Sequence, residues 1–377
     1  MARRCYPLGH LQVLFILSLV FWPLWVQGAE RLDRLERPAV SSSLAPHSLL
    51  LDIAEADGLL VAVGERGHVV RSEDAGQSWQ QAEVPVSVTL TSVHLVDDQY
   101  GWAAGHDGVV LVTDDGGRRW RKQLDGHQLN ELVVNHYQAL LQQVDAGERD
   151  DLDPELVATA LDDALFARDD GPSKPFLDIY FADRQQGWVV GAYGLFVRTL
   201  DGGQSWQPAM LALDNPDNFH LNAIAAAEDV LMIAGEAGAL FRSVDQGRSW
   251  ERLDAGYEGP LFSVTALGSA EQWLLSGLRG RLFVSADGGH SWEAFETSTR
   301  STINAASLLQ SGQLLAVGNG GAVLRGSQQH GTFEVRMQAD RVSYTGVVEL
   351  APGELVLVGQ KGVVRASLNG LMEARDE

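Results

Sequence analysis

The residues of this 377-residue chain with most chemical reach are a few acids and their neighbours. Asp107, Glu236 and Tyr193 sit in short glycine-bounded turns, and Arg66 and Arg279 sit in comparable ones. Two carboxylates about 5–10 Å apart can split a glycosidic bond, one as acid, the other as base or nucleophile. A Tyr/Glu pair with an Arg cluster, here drawn from Arg66, Arg279 and Arg300, would suit an acidic sugar instead. Five further acids, Asp74, Asp115, Asp201, Asp245 and Asp287, recur at one position of a repeated phrase. A catalytic acid is not needed five times, so these five are read as structural. An Asp in a turn accepts hydrogen bonds from its own backbone N–H groups. No phosphate loop, nucleophile elbow or zinc motif occurs, and the ten His lack ligand spacing. Cys5 is the only Cys, which excludes a cysteine zinc site or a disulfide framework. No cofactor or metal is expected.

A repeat must position these residues. The phrase is an apolar strand, Gly-x-x-Gly, a second apolar strand, then Ser/Thr-x-Asp-x-Gly-x-x-Trp. The first copy carries Gly64, Gly67, Ser72, Asp74, Gly76 and Trp79. Asp115 with Trp120, Asp201 with Trp206, Asp245 with Trp250 and Asp287 with Trp292 mark four more. A sixth keeps Gly318 and Gly321, but its turn decays to Gly326-Ser327-Gln328-Gln329, with Phe333 near the Trp position. A seventh keeps Gly359 and Gly362 and ends at Asn369-Gly370. The Trp spacing of about 40 residues, doubled once, is the period of a propeller blade.

The fold class is therefore all-β: a seven-bladed β-propeller over residues 29–377, four strands per blade. The seventh blade has little chain left for an outer strand, and Arg37 to Pro46 is expected to supply it. Residues 121–175 break the period between blades 2 and 3. Leu129, Leu132, Val133, His136, Leu140, Leu141 and Val144 give one helix an apolar stripe. Asp153-Pro154-Glu155 starts a second helix, whose apolar face holds Leu156, Val157, Ala160, Leu161 and Leu165; Gly171-Pro172 stops it. This inserted hairpin either covers sheet surface or docks a partner.

Composition narrows the partners. The chain is 45% apolar and 21% charged, which is globular usage. Its 50 acids against 28 bases give a net charge of -22, which excludes nucleic acid as the main partner and disfavours adhesion to anionic lipid. Residues 1–28 read as a signal peptide: Arg3 and Arg4, an apolar core from Leu11 to Val26, and a cleavage site before Ala29. An exported protein is expected, in the periplasm.

The Asp-bearing turns resemble Asp-boxes, or bacterial neuraminidase repeats. With Gly-x-x-Gly in every unit, seven units and an export signal, the chain resembles the photosystem II stability/assembly factor-like family. The resemblance implies an exported propeller without catalysis that assists assembly of a membrane protein complex. The alternative is a glycoside hydrolase of sialidase-like or xyloglucanase-like propeller type. Against it, the Arg-Ile-Pro signature of sialidases is absent, and their usual blade count is six.

Topology selects the working face. Within a blade the strands alternate in direction, so the Gly-x-x-Gly turns, the inter-blade connections and the insertion share one face. The Asp-boxes lie on the other. Arg66, His106, Asp107, Tyr193, Glu236, Arg279, Arg300 and Lys361 are the candidate partner-binding residues of that face. They suit contact with a protein surface or a carboxylate. Asp74, Asp115, Asp201, Asp245 and Asp287, with Trp79, Trp120, Trp206, Trp250 and Trp292, are the candidate structural residues. Arg71, Arg198, Arg242 and Arg325, just before the turns, are read as bonding to box or adjacent-blade backbone. The expected partner is protein in a membrane complex, with this chain a monomer and peripheral to the membrane at most.

Overall fold

In each repeat an apolar run ending in Gly becomes a strand buried on both faces, as in Leu59–Gly64, Gly101–Gly105 and Trp273–Gly277. A computed structural model describes residues 33–295, 297–327 and 332–373 of the chain. The expected signal peptide lies outside these residues. The strands form six four-stranded antiparallel sheets and one of three strands, each in chain order. Their innermost strands are Leu50–Ala56, Leu90–Leu95, Phe176–Phe181, Leu221–Ala227, Leu261–Ala266, Ile303–Leu308 and Tyr344–Ala351. Each packs on the next, and the last packs back on the first. Thr345 Oγ1 closes the ring by donating to the Leu50 carbonyl at 2.8 Å. The result is a seven-bladed propeller.

Seven apolar clusters fill the seven interfaces between blades. The turn Trp belongs to these interfaces. Trp120 joins Val61 and Val63 of the preceding blade, and Trp206 joins Trp102 and Val112 of the blade before its own. Phe333 takes this place in the sixth blade, beside Leu274 and Phe295. The turn below each Trp is held by its Asp. Asp287 accepts from the Ser285 hydroxyl at 2.8 Å, the Ser291 amide at 2.9 Å and the Ser291 hydroxyl at 2.6 Å. The hydroxyl and amide of Ser291 hold its carboxyl down at about 2, and those of Ser78 do the same for Asp74. Buried Arg71 donates to the Gly116 carbonyl of the next box at 2.6 Å, and Arg198 reaches Gly247 at 3.4 Å.

A second repeated contact fixes the other face. The residue after the first Gly of each Gly-x-x-Gly donates its N–H to a carbonyl just before, or at the foot of, the blade's innermost strand. Glu65 reaches Leu49 at 3.0 Å, His106 reaches Thr89 at 2.8 Å and Asn319 reaches Thr302 at 2.9 Å. Ala192, Glu236, Leu278 and Gln360 make the same bond to Pro175, His220, Pro260 and Ser343. The same carbonyl crowds the Gly: a Cβ on Gly64 or Gly318 would run into Leu49 O or Thr302 O. Only Gly allows that approach.

The inner strands are also stitched by acids. Asp52 accepts from the Val93 amide of the next blade at 2.9 Å, and Asp178 from the Ile224 amide of its next blade at 2.8 Å. Between them lies Ser92, whose Oγ is 3.1 Å from Asp52 Oδ2 and 2.6 Å from Asp178 Oδ1. A hydroxyl has one proton to give, so both contacts are hydrogen bonds only when one carboxyl keeps its own. Burial, reinforced by the charge of Asp178, pushes Asp52 up to about 7. Burial pushes Asp178 up to about 6.

Two expectations meet corrections. Residues 37–46 form no strand; among the described residues the seventh sheet has three. The segment instead runs along blade 1, where the Ala39 amide bonds to the Val84 carbonyl at 3.0 Å, and Ala45 plugs the interface of blades 7 and 1. The short helix Leu368–Met372 packs Leu368, Leu371 and Met372 over the interface of blades 6 and 7. It covers apolar surface that an outer strand would cover elsewhere. In the insertion, helices α1 (Gly126–Asp145) and α2 (Pro154–Asp170) carry the caps Asp125 and Asp153. Val133, Val134 and Tyr137 pack beside Trp102 and Phe176, and Asn130 ties α1 to the end of α2 through the Ala167 and Gly171 carbonyls. Leu156, expected on the buried face, stays half-exposed.

Two predictions follow from these contacts. Gly318→Ala forces the turn off the Thr302 carbonyl and destabilises by about 1–3 kcal/mol; a thermal midpoint equal to that of the parent would contradict the close-approach account. The pH profile has two limbs. Asp52 and Asp178 are raised, so their stabilisation is complete below about pH 4 and is lost as pH rises to about 7. Asp74 and Asp287 are depressed, so theirs is complete above about pH 4 and is lost as pH falls through about 2. Urea midpoints of Asp52→Asn should decline less than the parent's between pH 4 and 7, and an unchanged decline would refute the shared-proton assignment.

Candidate partner-binding face

The Gly-x-x-Gly turns are built so that their third residue takes an unusual backbone conformation. Arg66, Asp107, Tyr193, Ala237 and Arg279 all take left-handed backbone conformations, with φ between 52° and 59°. Such conformations cost L-residues about 1–2 kcal/mol. The anchoring hydrogen bond and the close-packed first Gly leave the turn little other choice. Gly320 holds the position in the sixth blade at φ 65°. The seventh turn differs: Gly359 pairs directly with Gly362, and Lys361 sits in a tight hairpin.

The eight sequence-selected residues fall into separate settings. Arg66 is exposed and only 4.0 Å from Glu65, and His106 is exposed. Asp107 turns inward and pairs with Arg34 at 3.1 Å. Tyr193 meets the ring of His220 edge-on at 5.0 Å, with the Lys174 ammonium 5.7 Å from its centroid. Glu236 accepts from the His220 amide at 3.3 Å and lies 4.0 Å from its ring. Lys361 pairs with Asp340 at 3.4 Å.

Arg279 and Arg300 are brought together. They line one open pocket of about 670 Å³ with Arg281, Phe295, Thr297 and Thr299. Gly280 also lines it, and the Thr297 hydroxyl bonds to the Gly280 carbonyl at 2.8 Å. Among the described residues no carboxylate comes within ion-pair distance of these three guanidinium groups. Sequence reasoning missed Arg281, which follows the second Gly at a place where other blades carry an apolar residue or His. That break in the repeat was the available signal. The site is a cationic cup on a strongly acidic molecule, able to receive carboxylates through forked hydrogen bonds.

The carboxylates available for sugar chemistry are differently placed. Asp107 is buried in an ion pair, while Glu236 is half-exposed in blade 4. Asp52 and Asp178, closer in type to a coupled acid pair, are partly buried and committed to the backbone of the inner strands.

Comparison with known proteins places this architecture. The profile of the family described as photosynthesis system II assembly factor YCF48 matches residues 39–139 and 171–367, well over half of the chain. A photosystem II assembly lipoprotein Ycf48 of Synechococcus sp. (strain CC9902) is 36% identical over 96 residues, 25% of this chain and 29% of that protein. The photosystem II assembly protein Ycf48 of Thermosynechococcus vestitus is 30% identical over 241 residues, 52% of this chain and 69% of that protein. A solved structure described as YCF48 bound to D1 peptide superposes with a TM-score of 0.59 at 17% identity, covering 88% of this chain and 99% of that one. That last likeness shows a shared fold. With seven blades, the repeated turn phrase and a profile spanning both sides of the insertion, the chain belongs to the photosynthesis system II assembly factor YCF48 family.

Proposed function

We propose that this protein is a non-catalytic, exported assembly factor whose Gly-x-x-Gly face binds an acidic, extended segment of a membrane protein complex. It works in the periplasm or a thylakoid lumen, as a monomer and peripheral to the membrane. The carrying observation is the pocket of Arg279, Arg281 and Arg300, three charges gathered without an acidic partner among the described residues. Carboxylates of a bound segment would complete it. Glu236, Arg66, His106 and Lys361 extend the same face and set which segment fits. Family membership supports the assembly role, and the related protein described as bound to D1 peptide supports a peptide ligand. Among the described residues no helix is long and apolar enough to cross a membrane.

Recovery from detergent-solubilised membranes tests this reading. The parent should retain a specific membrane protein, and Arg279→Glu with Arg300→Glu should reduce that recovery by at least about tenfold, the scale of a lost charged anchor. Both side chains are exposed, so thermal midpoints should stay near the parent's. Equal recovery by the variant would remove the pocket from the interface. Glycoside hydrolysis abolished by Glu236→Gln would replace the whole reading with the hydrolase.

A further inference from the structure

A second site of opposite character lies on the same face, between the helical insertion and the blade 3 to blade 4 connection. There α2, the Tyr193 turn and residues 210–218 enclose a groove of about 690 Å³. Its apolar surface is left in water: Phe166 is 76% exposed, Tyr193 57% and Leu156 47%. Few large apolar side chains of the described chain are as exposed as these, and all three line one groove. Contiguous exposed apolar surface of this kind marks an interaction site. The groove also has a sign. Asp163, Asp170 and Asp214 line it, and among the described residues none of these carboxylates has an ion-pair partner within 4 Å. Lys174 supplies one positive charge, half-buried over the Tyr193 ring, and leaves the rim net negative.

The family profile matches residues 39–139 and 171–367, so α2, which supplies Phe166, Leu156 and two of the three acids, lies outside the part matched to the family. An element kept only to cover sheet would bury its apolar side chains. Helix α2 buries Val157, Ala164 and Ala167 for that purpose and turns Leu156 and Phe166 outward.

The geometry points to this groove as a docking site for a cationic amphipathic segment of a partner protein, with apolar residues seated against Leu156, Phe166 and Tyr193 and flanking Lys or Arg facing Asp163, Asp170 and Asp214. Helix-in-groove recognition has this form. The site is separate from the arginine pocket and takes the opposite charge. An assembly factor with both holds two segments at once.

Fluorescence anisotropy on the full chain tests the proposal, with a labelled amphipathic Leu–Lys peptide as ligand. Two controls keep one property each: a Ser–Lys peptide of equal charge and a Leu–Glu peptide of equal apolar pattern. Saturable Leu–Lys binding is expected, at least about tenfold tighter than either control. Phe166→Ser with Leu156→Ser should weaken it by about tenfold. Asp163→Asn with Asp170→Asn should weaken it too, while Arg279→Glu with Arg300→Glu retains it. Equal binding of the Ser–Lys peptide, or indifference to the Phe166 and Leu156 changes, would overturn the proposal. So would a dimer dispersed by Phe166→Ser, which gives the groove to a second copy. Tighter peptide binding after Leu14→Asp with Leu17→Asp would give it to the chain's own leader.

Discussion

One backbone hydrogen bond, made seven times, sets the rest of the structure: the N–H after the first Gly of each Gly-x-x-Gly, given to a carbonyl at the foot of the innermost strand. The bond is possible only where no Cβ stands in the way. It pins each turn to the sheet and fixes where its two middle residues sit. The scaffold thereby separates what must be constant from what can vary. Glycine is constant, and Arg66, Tyr193 and Arg279 are three of the variable answers.

The opposite face shows the other half of this division. Its aspartates are spent on Ser and Thr hydroxyls and turn amides, and its tryptophans on the seams between blades. Their carboxyls are held in the ionised form by the hydrogen bonds they receive. Such acids contribute to the net charge of -22 without being poised for proton transfer. Against that background a pocket of three arginines stands out, because long-range repulsion of anionic partners by the rest of the surface must be overcome locally. The ring bears a cationic pocket and an acidic groove on one face.

The fold was legible in the sequence because each blade repeats one phrase, and a repeated Gly or Trp has a physical reason at every copy. Phe333 could be read as a substituted Trp for the same reason, and it fills that seam. Features made once were harder to read. The seventh blade's outer edge is covered by a helix and a crossing segment, and neither has a repeat to announce it. Asp52, Ser92 and Asp178 come from three different blades, so nothing in their spacing shows that they meet. Helix α2 has apolar residues on more than one side, and periodicity alone does not say that Leu156 faces outward while Val157 is buried. Of the site, Arg279 was visible through its turn and Arg300 through the inter-blade connection, and Arg281 only as a departure from the pattern.

The central claim is that the Gly-x-x-Gly face, and no other, meets the partner. Hydrogen exchange on the chain, free and in complex with the membrane protein retained from membranes, measures this directly. The account predicts slowed exchange at residues 278–281 and 297–300, and in the turn around Tyr193, with the box turns at residues 74–78 and 245–249 unchanged. Protection confined to those box turns, with the arginine pocket exchanging as in the free chain, would contradict it.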